Sequence, residues 1–377
     1  MPAPSLTFTI LSFLLVIGPL IFIHEMGHYW VGRLFGVHAE AFSIGFGPEV
    51  AHWTDRSGTR WRVGGFPLGG YVRFAGDMGV ASEPDPKWLE LPAEERNRCF
   101  HAKPVGVRAL VVLAGPLVNL LFAALILAGF AFVYGENVTP AQVQAVLPKS
   151  AAAAAGIKPG DKILAFDRET VEDFDQLARS VLVHQPGERI DMIVERGRAR
   201  IALPVKIGFR SEYDRFGNEI RIPQIGVRPV ATVVRKVSFW EAPVVGVRRT
   251  GELIAMMGNG LARIVTGQAS VKELGGPLKM AQFSGEQAAL GPVALISFIA
   301  LVSINLGFIN LLPIPMLDGG HLFFYGIEAI QRRPVSARVQ ELAFRSGLAL
   351  LLGLMVLVTI NDLGSFGLWR GLSRLIG

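Results

Sequence analysis

Apolar residues in this chain gather into four long runs, separated by stretches where apolar and polar positions alternate or recur at helical spacing. The runs extend from about Leu6 to Phe35, Val105 to Tyr134, Pro292 to Leu312 and Gly347 to Ile360, the last reaching towards Leu368. Each approaches the roughly 20 residues that carry a helix across a bilayer core, so the pattern predicts four transmembrane helices. The third run contains Asn305 and Asn310, which predict a face turned to protein or water rather than lipid. Between the second and third runs the period changes. Val143–Leu147 alternates as a strand, and Ala151–Gly156 reads as a short helix ended by glycine. Lys158-Pro-Gly-Asp161 is a turn leading into a strand at Lys162–Phe166. Val171–Val183 carries Phe174, Leu177 and Val181 on one helical face, and Ile190–Glu195 and Ala199–Val205 are strands. Phe209–Arg228 resembles further β structure, and Val237–Gln287 reads as largely helical and amphipathic.

The loop after the first run mixes glycine with aromatic residues, in Ser43-Ile-Gly-Phe-Gly-Pro48 and Gly64-Gly-Phe-Pro-Leu-Gly-Gly-Tyr-Val-Arg-Phe74. Strands near Phe42–Phe46 and Val63–Phe74 would form a hairpin dipping into the membrane interface; an ordinary interfacial turn is the competing reading. Glycines there let another backbone approach closely, which makes Gly69, Gly70, Tyr71 and Val72 candidate substrate contacts. The expected fold is a multi-pass α-helical membrane protein of about four transmembrane helices, with a membrane-associated β-hairpin and an inserted α/β domain. Its expected divisions are 1–36, 37–104, 105–135, the insert at 141–208, a connector at 209–290, 291–330 and 346–377.

Composition agrees with the pattern. Of 377 residues 51% are hydrophobic and 18% charged, and the mean hydropathy is +0.41, high for a soluble protein. A net charge of +6 would suit nucleic acid, yet the basic residues are scattered and no helix-turn-helix, zinc-finger or RNA-binding pattern is present, so no nucleic-acid partner is expected. The one cysteine, Cys99, excludes an internal disulfide and a cysteine-rich metal site. No Lys or Arg precedes Arg33, so the first run reads as a retained helix rather than a signal peptide. Arg33, Arg56, Arg60, Arg62 and Arg73 follow the first run, and Arg332, Arg333, Arg338 and Arg345 follow the third. The positive-inside rule puts both loops in the cytoplasm and the insert outside. Arg370 and Arg374 oppose this mildly and are assigned to an interfacial helix around Trp369.

The candidate chemistry lies at the end of the first run, in His24-Glu25-Met26-Gly27-His28. Histidines four residues apart share one helix face and can share one metal, and Glu25 beside them can act as a general base on water. Ionisable residues at membrane depth cost about 2.5–3.5 kcal/mol each, so a compensating metal is the simplest partner. A catalytic zinc needs a third protein ligand. The best candidate is Asp318, in Asn310-Leu-Leu-Pro-Ile-Pro-Met-Leu-Asp-Gly-Gly320, where two prolines break the helix and two glycines permit tight geometry. The alternative is that Asp318 merely caps a helix starting near His321. The partners of the outer histidine nitrogens are not identifiable from the sequence.

The paired motifs His24-Glu25-x-x-His28 and Asn310-x-x-Pro-x-Pro-x-Leu-Asp318-Gly resemble the site-2 protease family of intramembrane zinc metalloproteases, in its bacterial RseP-type branch. The Pro-Gly-Asp turn at 159–161 after an alanine-rich helix is similar to bacterial PDZ domains, and Leu274-Gly-Gly-Pro-Leu278 is similar to a family segment. The resemblance implies one Zn2+ held by His24, His28 and Asp318, with Glu25 as base and Asn310 and Asn305 holding substrate or polarising its carbonyl. It implies a multi-pass protein of the bacterial inner membrane with a periplasmic PDZ domain that contacts the substrate or its external part. The implied substrates are single-span membrane proteins, an anti-sigma factor or remnant signal peptides, cut after a prior external cleavage. Several relatives carry two PDZ domains, whereas this insert has room for one. A non-catalytic zinc-containing scaffold that recruits partners through its PDZ domain is the alternative, and an intact Glu25 argues against it. A metal transporter would need polar residues along several helices.

Overall fold

The computed structural model describes residues 4–77, 90–213, 219–268, 270 and 275–365. The expected interfacial helix around Trp369, with Arg370 and Arg374, and Leu274 of the 274–278 segment lie outside the described residues. Two compact units are present, one of residues 1–129 and 240–377, the other of 130–239.

Helix α1 (Leu6–Leu34) starts at Ser5, whose hydroxyl accepts from the Phe8 amide. Strands β1 (Ala39–Thr54) and β2 (Arg60–Phe74) form the expected hairpin, longer than the sequence suggested. Its tip is organised by Asp55, whose carboxylate accepts from the Ser57 amide (2.8 Å), the Thr59 amide (3.0 Å) and the Trp61 indole (2.9 Å). Burial pushes the Asp55 carboxyl up, and these bonds outweigh it and hold it down at about 2. The ladder is doubled. Ala41, Phe42, Ser43 and Ile44 each pair with Arg60–Val63 on one side and with Gly70–Arg73 on the other. Gly70–Arg73 therefore has a strand partner on one side only, among the described residues. Phe42 is fully buried, edge-on to Phe22 and Tyr29 of α1, which fixes the sheet to that helix.

After the short helix α2 (Ala93–Arg96) comes α3 (Val105–Tyr134), an apolar helix with Pro116 inside it. The second unit follows, with β3 (Glu136–Val138), β4 (Val143–Val146), α4 (Ala151–Ala154), β5 (Lys162–Phe166), β6 (Glu169–Thr170), α5 (Phe174–Leu182), β7 (Arg189–Arg196) and β8 (Ala199–Lys206). It closes with β9 (Gly208–Tyr213), β10 (Glu219–Gln224), β11 (Val227–Pro229) and β12 (Val233–Arg235). A sheet in the order β6-β5-β7-β8 covers a core of Ile163, Phe166, Leu177, Met192 and Val205. The elements match the expected strands and helix to within a few residues, but the unit is wider than 141–208. The physical reason is pairing at its edges, β11 closing on β4 and β12 on β3. Asp161 of the Pro-Gly-Asp turn is buried and takes two hydrogen bonds from Arg196, which hold its carboxyl below the usual range.

The first unit resumes with α6 (Ala242–Val265), α7 (Pro277–Leu290), α8 (Pro292–Asn310), α9 (Asp318–Gln331) and α10 (Ala337–Ser365). Among the described residues, four helices are long and apolar enough to cross a membrane: Leu6–Leu34, Val105–Tyr134, Pro292–Asn310 and Arg338–Gly364. The fourth begins well before Gly347, so Arg338 and Arg345 belong to it rather than to the preceding loop; Arg345 pairs there with Glu341, one turn away. Val16 and Leu20 of α1 and Val302 of α8 form one apolar cluster, and Ala123 of α3 with Ala300 and Ile304 of α8 another.

Candidate metal centre

His24, Glu25 and His28 lie in the last turns of α1, the two histidines on the side packed against α3 and Glu25 beside Gly70 of β2. Small residues make that approach possible. A Cβ at Gly27 would lie 2.6 Å from the Ala114 carbonyl oxygen, and one at Gly115 would run into the His28 ring. The segment between α8 and α9 brings in the third group. Pro313 and Pro315 prevent a continuous helix, Met316 takes φ +81, and α9 restarts at Asp318. A Cβ at Gly319 would collide with the carbonyl oxygens of Leu311 and Leu312, and one at Gly320 with that of Ile314. The glycine pair thus lets the first turn of α9 fold tightly over the preceding turn. Asp318 does not cap its helix; its carboxylate faces the two histidines.

His24 Nε2 lies 3.1 Å from Asp318 Oδ2 and 3.2 Å from His28 Nε2, and His28 Nε2 lies 3.6 Å from Asp318 Oδ1. One ligand atom from each of the three residues falls within 4.8 Å of the others. His28 Nδ1 is 2.9 Å from the Val111 carbonyl oxygen, so this nitrogen carries the proton and Nε2 presents its lone pair. Two imidazole nitrogens and a carboxylate converging in a protein interior repel one another unless a cation sits among them. Among the described residues Asp318 Oδ2 is buried without a hydrogen-bond partner, which fits the same requirement. Nitrogen and oxygen donors of this kind suit Zn2+.

A cavity of about 410 Å3 opens beside the three groups. Glu25 lines it, together with Gly69, Gly70, Tyr71, Val72, Asn310 and His321. Gly70 meets α1 closely, since a Cβ there would lie 2.8 Å from Ile21 Cγ2 and 3.0 Å from Glu25 Cγ. The one-sided strand edge of the hairpin is therefore laid along the cavity. Asn305 does not line it. Five residues from Asn310 is about 140° around a helix, which turns Asn305 to another face. Two groups at the centre escaped sequence reasoning. Asn119 of α3 places its amide 3.2 Å from His24 Nδ1, and the Val111 carbonyl serves His28. An asparagine in the middle of an apolar helix was the available signal for the first; a backbone carbonyl leaves none.

Such a centre, set on apolar helices with a glutamate beside it, belongs to the class of membrane metallopeptidases. Residues 12–354 match the family described as Peptidase family M50. A relative from Agrobacterium fabrum, named "Putative zinc metalloprotease Atu1380", is 44% identical over 365 residues, covering 96% of this chain and 97% of its own. "Metalloprotease MmpA" of Caulobacter vibrioides is 35% identical over 386 residues, covering 96% of each chain. Among solved structures, the PDZ domain of an SdrC-like protein from Listeria monocytogenes matches 24% of this chain and 85% of its own at 19% identity, with a TM-score of 0.20. The chain belongs to peptidase family M50, the site-2 protease family, and is a zinc metalloprotease of the membrane.

Proposed function

We propose that this metalloprotease hydrolyses peptide bonds within the bilayer, cutting the transmembrane segments of single-span proteins in regulated intramembrane proteolysis. The observation that carries the reading is the shared cavity. It joins a His-His-Asp set, a buried glutamate and a one-sided strand edge at the ends of apolar helices. In this reading His24, His28 and Asp318 hold the zinc. When bound, zinc makes water more acidic and polarises a carbonyl. Glu25 takes a proton from the attacking water and returns it to the leaving amine. The Asn310 amide, on the same cavity, donates to the developing oxyanion.

A transmembrane substrate hides its peptide bonds in its own helix, so it must unwind before it is cut. Gly69–Val72 offers the unwound segment a strand to pair with, which holds it extended beside Glu25. The PDZ-like unit filters substrates by the bulk of their external part and admits those already shortened by an external cut, such as an anti-sigma factor or a remnant signal peptide. Positive loops favour an inner-membrane orientation with this unit in the periplasm. The test is a single-span protein with a short external tail, reconstituted with the purified chain and mapped by mass spectrometry. New termini inside the apolar segment are expected. Cuts confined to the flanking polar sequence would overturn the reading.

A further inference from the structure

Asn119 is wholly buried, and among the described residues its one side-chain hydrogen bond is to His24 Nδ1 at 3.2 Å. Its backbone carbonyl accepts from the buried Ser303 hydroxyl of α8 at 2.8 Å, which fixes where α3 holds the residue. The amide oxygen has no partner among the described residues. A buried amide left half-satisfied is destabilising, so packing alone does not favour asparagine at this position. The two ends of an amide are alike in shape, and their orientation follows from the neighbouring hydrogen bonds. His24 decides it. Its Nε2 points at His28 and Asp318, where a neutral imidazole must present a lone pair to a cation. The ring proton then sits on Nδ1 and requires an acceptor, which is the amide oxygen and not the amide nitrogen.

We propose that Asn119 is the positioning residue for His24, accepting its Nδ1–H through Oδ1 and so fixing the tautomer and ring angle that aim Nε2 at zinc. The assignment rests on the metal centre proposed above. It gives both histidines their outer acceptors from one helix, the Val111 carbonyl for His28 and the Asn119 amide for His24. Removing such an outer partner typically costs roughly 10–100-fold in metal affinity.

The test compares Asn119→Leu and Asn119→Asp in the full chain in nanodiscs. Zinc affinity is read by chelator competition, ring geometry by the visible spectrum of the Co2+ form, and stability by thermal unfolding. Leucine fills the space without an acceptor; aspartate keeps an acceptor but buries a charge. The expected result is an affinity loss of roughly 10–100-fold and an altered Co2+ spectrum in Asn119→Leu. Asn119→Asp should stay within a few-fold of wild type although it is the less stable of the two. Unchanged affinity in Asn119→Leu, or an affinity order that follows stability, would overturn the assignment. Wild type without zinc at stoichiometric supply would instead sink the metal centre itself.

Discussion

Asn310 and Asn305 are equivalent in composition and in apolar context, yet the structure gives them different surroundings. Only Asn310 lines the cavity beside Glu25. If its amide meets the oxyanion, Asn310→Ala should lower kcat by about 10²–10³-fold while KM and zinc content hold. Asn305→Ala should do neither, and steady-state kinetics with metal analysis on both variants checks this. Equal losses in the two would point to helix packing instead. The histidine pair and Glu25 were legible in the sequence because an i, i+4 motif is local, and Asp318 because a carboxylate after an apolar run needs a partner. Asn119 was not legible as part of the centre. Its contact with His24 spans 95 positions and depends on how closely α3 meets α1 at Gly27 and Gly115.

At the scale of elements, the hairpin and the inserted unit each carry a separable claim. A methyl at Gly70 would lie 2.7 Å from the Ser43 carbonyl oxygen and 2.8 Å from Ile21 Cγ2, so the strand must lift away from α1. Gly70→Ala is expected to reduce cleavage at least tenfold and leave bound zinc unchanged; unaltered turnover would count against a substrate-pairing edge. The strands were readable from alternation and glycine, but the doubled ladder was not, because Arg60–Val63 and Gly70–Arg73 reach one strand through non-local pairing. In the other unit, the Arg196 hydrogen bonds hold the Asp161 carboxyl below its ordinary value of 3.8. The stability this confers is complete above that value and disappears as pH falls through the lower, folded-state pKa. Arg196→Leu should therefore destabilise the unit at pH 7, and the difference should vanish in strong acid. Amide hydrogen exchange of β5 and β7 at both pH values reads this out.

For the whole molecule, the four apolar helices were readable from the sequence, and the compact unit of residues 130–239 extends beyond the expected insert at 141–208. The local period ends near Ile207, whereas β11 and β12 return to strands more than 80 residues earlier to close the unit. That closure also makes a clean excision possible. The hydroxyls of Thr139 and Thr232 lie 2.9 Å apart, so a short Gly/Ser linker can replace residues 140–231. If the unit filters substrates, the shortened protein should cleave bulky-tailed single-span proteins that the full chain rejects. Loss of cleavage of a short substrate already in the membrane would argue for an obligatory binding role.

The most direct test joins turnover to metal content. Wild type, Glu25→Gln and chelator-treated wild type would be reconstituted side by side with a short-tailed single-span substrate, and product and bound zinc measured in each. Product is expected in untreated wild type alone, with zinc retained in Glu25→Gln and turnover there lower by about 10²–10⁴-fold. Undiminished cleavage by Glu25→Gln, or by the zinc-depleted protein, would contradict a centre in which His24, His28 and Asp318 hold the metal and Glu25 moves the proton.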